Sequence, residues 1–210
     1  DSVLCIMPEE QVVTCRLSRK PLLEKLQEAK EESRPLRVLD VGTGSGVFAI
    51  YASKLLSENS ANEFEIVAID KNPRAISFAK SNARNNNVSD LISIRPEALE
   101  DLQDDSSFDI IFSNAPFNPT PPGIAVEEFG HTDEDCTEIL KDWVKLLTTK
   151  QILNENGILV GCQMFEENEK QSFAAALTEI YGELEVAIQH ILVNENDTPW
   201  VSASEFREQV

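Results

Sequence analysis

Five short apolar runs bounded by turn residues punctuate the chain: "RVLDVG" (37 to 42), "FEIVAID" (64 to 70), "LISIRPE" (91 to 97), "FDIIFSN" (108 to 114) and "GILVGCQMF" (157 to 165). Their length and branched apolar content predict buried strands. Helical spacing fills the gaps, over Val47 to Leu56, Pro73 to Arg84, and Asp133 to Leu153, where Ile139, Leu140, Trp143, Leu146 and Leu147 recur on one face. "SRKPLLEKLQEAKEE" predicts a leading helix, and a helix (168 to 182) and a strand (184 to 193) follow the fifth run. Strand and helix alternate throughout, which predicts an α/β fold: a doubly wound, mainly parallel sheet with ligands at the carboxyl ends of its strands.

Length and composition sharpen that picture. At 210 residues and 41% hydrophobic, the chain supports a single domain with a full core. Residues 1 to 35 read as an N-terminal extension with its helix, and 36 to 210 as the domain itself. No apolar run approaches the ~18 to 20 residues that cross a bilayer, and "DSVLCIMPEEQVVTC" has neither the basic start nor the apolar centre of a signal peptide. A cytoplasmic protein with no membrane partner is expected. Cys5, Cys15, Cys136 and Cys162 form no CxxC pair, so buried free thiols are expected and no metal site is read.

The formal charge of −19 disfavours nucleic acid as a partner, because binding a polyanion would release no counterions from this surface. The charge is also uneven. Glu97 to Glu138 holds twelve Asp or Glu and not one Lys or Arg.

Candidate chemistry begins at "VLDVGTGSG", which places Gly42, Gly44 and Gly46 directly after the first strand and before a helix. Glycine tolerates positive φ and lets a ligand approach the main chain, so Gly42, Thr43, Gly44 and Gly46 are candidate cofactor contacts. The spacing is GxGxG and not the GxGxxG of dinucleotide folds, and Asp40 stands two residues before the first glycine. A carboxylate there would serve a pyrophosphate badly and the ammonium of a methionyl group well. Asp70, followed by Lys71, ends the second strand, where a carboxylate can accept both hydrogen bonds of a ribose diol. At the third strand end, Glu97 can meet an exocyclic adenine amine, with the Ala98 N–H on a ring nitrogen. Three acids in order on three successive strand ends form one coherent set.

"VLDVGTGSG", "VAIDKNPRAISFAKSNARNN" and "SNAPF", in that order, resemble the class I methyltransferases that use S-adenosylmethionine, and within them the subgroup with an NPPY or NPPF signature. That subgroup includes the release-factor glutamine N5-methyltransferases and amino-directed adenine or guanine methyltransferases. The resemblance spans roughly 36 to 165 and implies a Rossmann-like sheet of seven strands, the last antiparallel, with S-adenosylhomocysteine as product. The seventh strand would fall within 200 to 210 or outside this chain.

In such an enzyme the sulfonium methyl is already electrophilic, so the acceptor nitrogen needs alignment more than a base. Asn114 Oδ1 and the carbonyl of Ala115 are suitably spaced to accept the two N–H bonds of a planar amide or amine, with Asn114 also beside the cofactor. Pro116 would stiffen the loop and Phe117 would stack on the acceptor plane. Ala115 stands where the signature has its first proline; the acceptor there is a backbone carbonyl, which alanine keeps. Asn118, Thr120 and His131 are secondary candidates for the acceptor pocket, and His190 and Tyr51 read as packing residues. The expected function is N-methyl transfer to a protein or small-molecule acceptor. The alternatives are methylation of a nucleic-acid base and a non-catalytic S-adenosylmethionine-binding partner subunit.

Overall fold

A computed structural model describes residues 8–60, 63–102, 107–115, 118–119, 131–132 and 138–161. Five parallel strands form the sheet: β1 (Leu36–Val41), β2 (Phe64–Ile69), β3 (Ile92–Arg95), β4 (Phe108–Ser113) and β7 (Leu153–Gly161), in the order β3-β2-β1-β4-β7. The order reverses between β1 and β4, and such a switch point opens a crevice at the strands' carboxyl ends. A parallel pairing of β5 (Asn118–Pro119) with β6 (His131–Thr132) follows β4.

Helices α1 (Pro8–Glu31), α2 (Val47–Asn59) and α3 (Pro73–Asn85), and α4 (Glu138–Thr149), follow the alternation. One core gathers Leu22, Leu26 and Ala29 of α1 with Phe48, Ala52 and Leu56 of α2 over Val38, Ile66, Ile110 and Phe112. Phe48 stacks on Phe112 with ring centroids 5.4 Å apart. On the other sheet face Leu147 of α4 joins Leu39, Val67, Ile69, Leu99 and Ile111. Apolar residues on both faces of β1, β2 and β4 explain why their sequences read as unbroken apolar runs.

Several boundaries differ from the sequence expectation. The leading helix begins at Pro8 and not near residue 18, because Thr14, Cys15 and Ser18 are buried and extend its packed face. β3 is shorter, since Leu91 closes a 3₁₀ turn (Ser89–Leu91) and Pro96 has no N–H for the ladder. The predicted helix to Leu153 stops at Thr149: Gln151 takes φ +55°, and Leu153 already pairs with Phe108. β7 thus starts four residues ahead of the predicted strand, then bulges and rejoins β4 at Ile158 opposite Ile110. Gly157 is needed in the bulge, for a Cβ would lie 2.6 Å from Leu153 Cδ1. Cys15 is a buried thiol outside any disulfide. The predicted helix at 168–182, the strand at 184–193 and the seventh strand lie outside the described residues.

The end of the sheet away from the crevice is locked by charge. Asp109, 3% exposed, accepts two bonds from Arg34 at 2.8 Å, one from the Arg37 N–H at 2.9 Å and one from Asn154 Nδ2 at 2.6 Å. Burial pushes its pKa up, but Arg34, the Arg37 amide and Asn154 outweigh burial and hold it below the usual carboxylate value. One side chain thus joins α1's exit, β1, β4 and β7.

Candidate active site

Register brings the candidate residues to one rim. Val41 pairs with Ile69 and with Ser113, and Ile69 pairs with Arg95, so the chain leaves β1, β2, β3 and β4 at a common level. Gly42, Asp70, Pro96 and Asn114 follow at once. The glycine turn takes φ of +65°, +55° and +87° at Gly42, Gly44 and Gly46. At Gly46 the absence of a side chain also admits α3, since a Cβ would sit 3.2 Å from Ala79 Cβ.

Two of the predicted acids build this turn themselves. Asp40 Oδ2 accepts from Thr43 Oγ1 at 2.6 Å and from the Ala49 N–H at 3.1 Å, which caps α2 from the preceding strand because Gly46 has no side chain to do so. Asp70 Oδ2 accepts from the Gly44 N–H at 2.9 Å and Asp70 Oδ1 from the Asn72 N–H at 2.8 Å. The backbone N–H groups of Gly44 and Ala49 are therefore already engaged. Asn82 Nδ2 of α3 adds a bond to the Ser45 carbonyl at 2.9 Å, and the Asn72 side chain accepts from the Arg74 N–H to start α3. Lys71 is exposed beside Asp70.

Among the described residues the buried side-chain atoms without a hydrogen-bond partner are Asp40 Oδ1, Glu97 Oε2, Ser113 Oγ and Asn114 Oδ1. All four belong to the carboxyl ends of β1, β3 and β4 or the residues just beyond. A buried polar atom without a partner costs about 1–3 kcal/mol. Asp40 is 1% exposed, and burial is the main cause that pushes its pKa up to about 6, with Asp70 adding to the rise while Thr43 and the Ala49 amide oppose it.

These atoms fit the expected cofactor chemically. Two carboxylate oxygens and an amide oxygen lacking donors suit a cationic ligand rich in N–H and O–H groups, and they would repel phosphate. Ala98 begins the 3₁₀ turn Leu99–Asp101 directly after Glu97. Ala115 is buried beside Asn114. Pro116, Phe117, Thr120 and His190 lie outside the described residues; Asn118 and His131 are brought together, as directly paired residues of β5 and β6. Among the described residues no group of three or more His, Cys, Asp or Glu could hold a metal.

Sequence reasoning missed three contributors. Ser113 and Asn82 lie inside the quoted motifs but were given no role there, and Trp143 read as helix core although its ring packs on Gly42, where a Cβ would lie 2.9 Å from Trp143 Cη2. The signal available for Asn82 was its place in α3 beside the small residues Ala75, Ala79 and Ala83, which face inward.

A doubly wound sheet with a glycine turn at its switch point and carboxylates on neighbouring strand tips defines a nucleoside-binding domain. A family model described as a methyltransferase domain matches residues 32–201, and the chain belongs to that family. The ribosomal protein L11 methyltransferase of Trichlorobacter lovleyi is 37% identical over 101 residues, covering 48% of this chain and 30% of that protein. The release factor glutamine methyltransferase of Lactococcus lactis subsp. lactis is 33% identical over 134 residues, 64% of this chain and 44% of that protein. A tRNA1(Val) (adenine(37)-N6)-methyltransferase of Actinobacillus pleuropneumoniae is 30% identical over 135 residues, 64% of this chain and 54% of that protein. The chain thus spans only about a third to a half of these relatives. Among solved structures, an S-adenosylmethionine-dependent O-methyltransferase of Thermotoga maritima superposes with a TM-score of 0.56 at 14% identity, covering 85% of this chain and 52% of that one. That likeness is one of fold. Among the described residues no helix is long and apolar enough to cross a membrane.

Proposed function

We propose that this protein transfers a methyl group from S-adenosylmethionine to a planar NH2 nitrogen of a protein, in the cytoplasm. The observation that carries the reading is Asn114 Oδ1, buried without a partner one residue past β4 and level with the glycine turn. Support for a protein acceptor comes from relatives named for L11 and for release-factor glutamine. The acid-only run from Glu97 to Glu138 supports it against the nucleic-acid substrate in the name of the tRNA relative.

The cofactor, when bound, supplies an electrophilic methyl group. Asp40 Oδ1 would accept from its ammonium, Asp70 from the ribose diol and Glu97 from the adenine amine; Thr43 and the Ala49 amide hold Asp40 in place for this. Asn114 Oδ1 and the Ala115 carbonyl would accept the acceptor's two N–H bonds, turning the nitrogen lone pair out of conjugation and towards the methyl. Pro116 and Phe117, outside the described residues, would stiffen the loop and stack on the acceptor plane.

The test is incubation with methyl-labelled S-adenosylmethionine and a cell extract separated into protein, nucleic-acid and small-molecule fractions. Label is expected in protein as methylated amide or amine, and the Asn114→Ala variant should lose ~10²-fold of that transfer while its affinity for S-adenosylhomocysteine stays within a few-fold. Label confined to nucleic acid or small molecules overturns the acceptor assignment, and unchanged transfer by the variant overturns the role of Asn114.

A further inference from the structure

On the inner face of α4, Leu140, Val144 and Leu147 form the buried stripe, at 6%, 0% and 2% exposure. Their spacing of four and then three residues is that of a helix seam, through which Leu147 joins the sheet core. Trp143 flanks this stripe and is only half-buried. Its indole reaches the tip of β1, where an added Cβ at Gly42 would stand 2.9 Å from Cη2 and 3.6 Å from Cζ3. Trp143 packs against the same core as Leu147, and its ring extends from there to the glycine turn.

Gly42 opens the turn that continues through Thr43 to Gly46, and Thr43 donates its N–H to the Ile69 carbonyl at 2.9 Å. The height of residue 42 above β1 therefore sets where Thr43 and Gly44 meet Asp40 and Asp70. Helix α4, with Lys150 just past its end, also packs against the segment that follows β3. Lys150 Nζ donates to the Glu100 carbonyl, and Leu99, two residues past Glu97, shares the α4 core. Of these contacts, the one at Gly42 touches the glycine turn itself.

We propose that Trp143 is a positioning residue of the cofactor site: its ring fixes Gly42 from beneath and so sets the glycine turn for ligand binding. The inference rests on the reading of that turn as the S-adenosylmethionine site. It predicts that Trp143→Leu weakens S-adenosylhomocysteine binding by about tenfold or more, while Trp143→Phe, which keeps a ring against Gly42, stays within about threefold. Leu147→Ala is the control. It leaves a cavity in the same helix seam and should lower the melting temperature at least as much as Trp143→Leu, yet leave the dissociation constant within about twofold of the parent.

Fluorescence gives an independent readout. The chain has two tryptophans, Trp143 and Trp200, so in a Trp200→Phe background the emission reports Trp143 alone. Saturation with S-adenosylhomocysteine should shift that emission, with a midpoint matching the calorimetric dissociation constant. Calorimetric binding with unchanged emission, or equal losses of affinity in Trp143→Leu and Leu147→Ala, overturns the positioning role and leaves the cofactor site standing. Absence of calorimetric binding to the parent chain overturns both.

Discussion

In the proposed site Asp40 should make cofactor affinity depend on pH, and the size of the effect follows from its surroundings. The carboxyl is 1% exposed, its Oδ2 holds Thr43 and Ala49, and its Oδ1 has no partner. Burial, with Asp70 adding to it, pushes its pKa up to about 6, so near neutrality part of the ligand-free population carries a proton there. A cationic ammonium placed at Oδ1 favours the ionised form. Binding is therefore linked to loss of that proton, and the apparent dissociation constant scales with the inverse of the ionised fraction. With a pKa of about 6 that fraction is roughly a tenth at pH 5 and nine-tenths at pH 7, so affinity should tighten about tenfold across the interval. The α-amine of the ligand stays cationic over that range and adds little.

The same shift has a sign for stability that runs against the usual acid. The folded pKa lies above the unfolded value of 3.8, so the folded state binds the extra proton and stability falls as pH rises from about 4 through about 6. A rise of ~2 units corresponds to on the order of 3 kcal/mol over that window. Ligand binding reverses the loss. Titration calorimetry with S-adenosylhomocysteine at pH 5, 6 and 7 measures the dependence directly, and Asp40→Asn should flatten it while keeping the acceptor oxygen for Thr43 and Ala49. Equal dissociation constants at pH 5 and pH 7 in the parent protein would refute the linkage.

Two further outcomes follow from named contacts. Asp70→Ala should weaken S-adenosylhomocysteine binding by ~1.5–3 kcal/mol, the scale of a lost charge-assisted hydrogen bond, and calorimetry showing parental affinity removes Asp70 from the site. Arg34→Ala strips two bonds from the buried Asp109 and should lower unfolding free energy by about 2–4 kcal/mol in urea titration, with cofactor affinity unchanged because the pair sits at the opposite end of the sheet.

The strands and the order of the rim were legible because they are local. "RVLDV", "FEIVAI" and "FDIIFS" are unbroken apolar runs, and turn residues or a proline end each at the level where Asp40, Asp70 and Asn114 sit. What escaped was long-range. Asp109 reads as one more acid of an acidic segment, and only the pairing of β1 with β4 brings it to Arg34, 75 residues away in sequence. Trp143 fits a helical apolar stripe as well as its neighbours do, so periodicity alone cannot separate the ring that meets Gly42 from the side chains that seat the helix. Asp40 and Asp70 were read as candidate ligand acids, but their bonds to Ala49 and Gly44 depend on the turn's positive φ values, which no residue pattern prints.

The two ends of the sheet treat buried polarity in opposite ways. Away from the crevice, Asp109 is given four donors and its charge stabilises the junction of α1, β1, β4 and β7. At the rim, four buried polar atoms of Asp40, Glu97, Ser113 and Asn114 are left without partners, at about 1–3 kcal/mol each. A fold selected for stability alone would exchange such atoms for apolar ones or supply donors. Packing and charge elsewhere in the fold offset that cost, and the proposed cofactor would relieve it by bringing the missing donors.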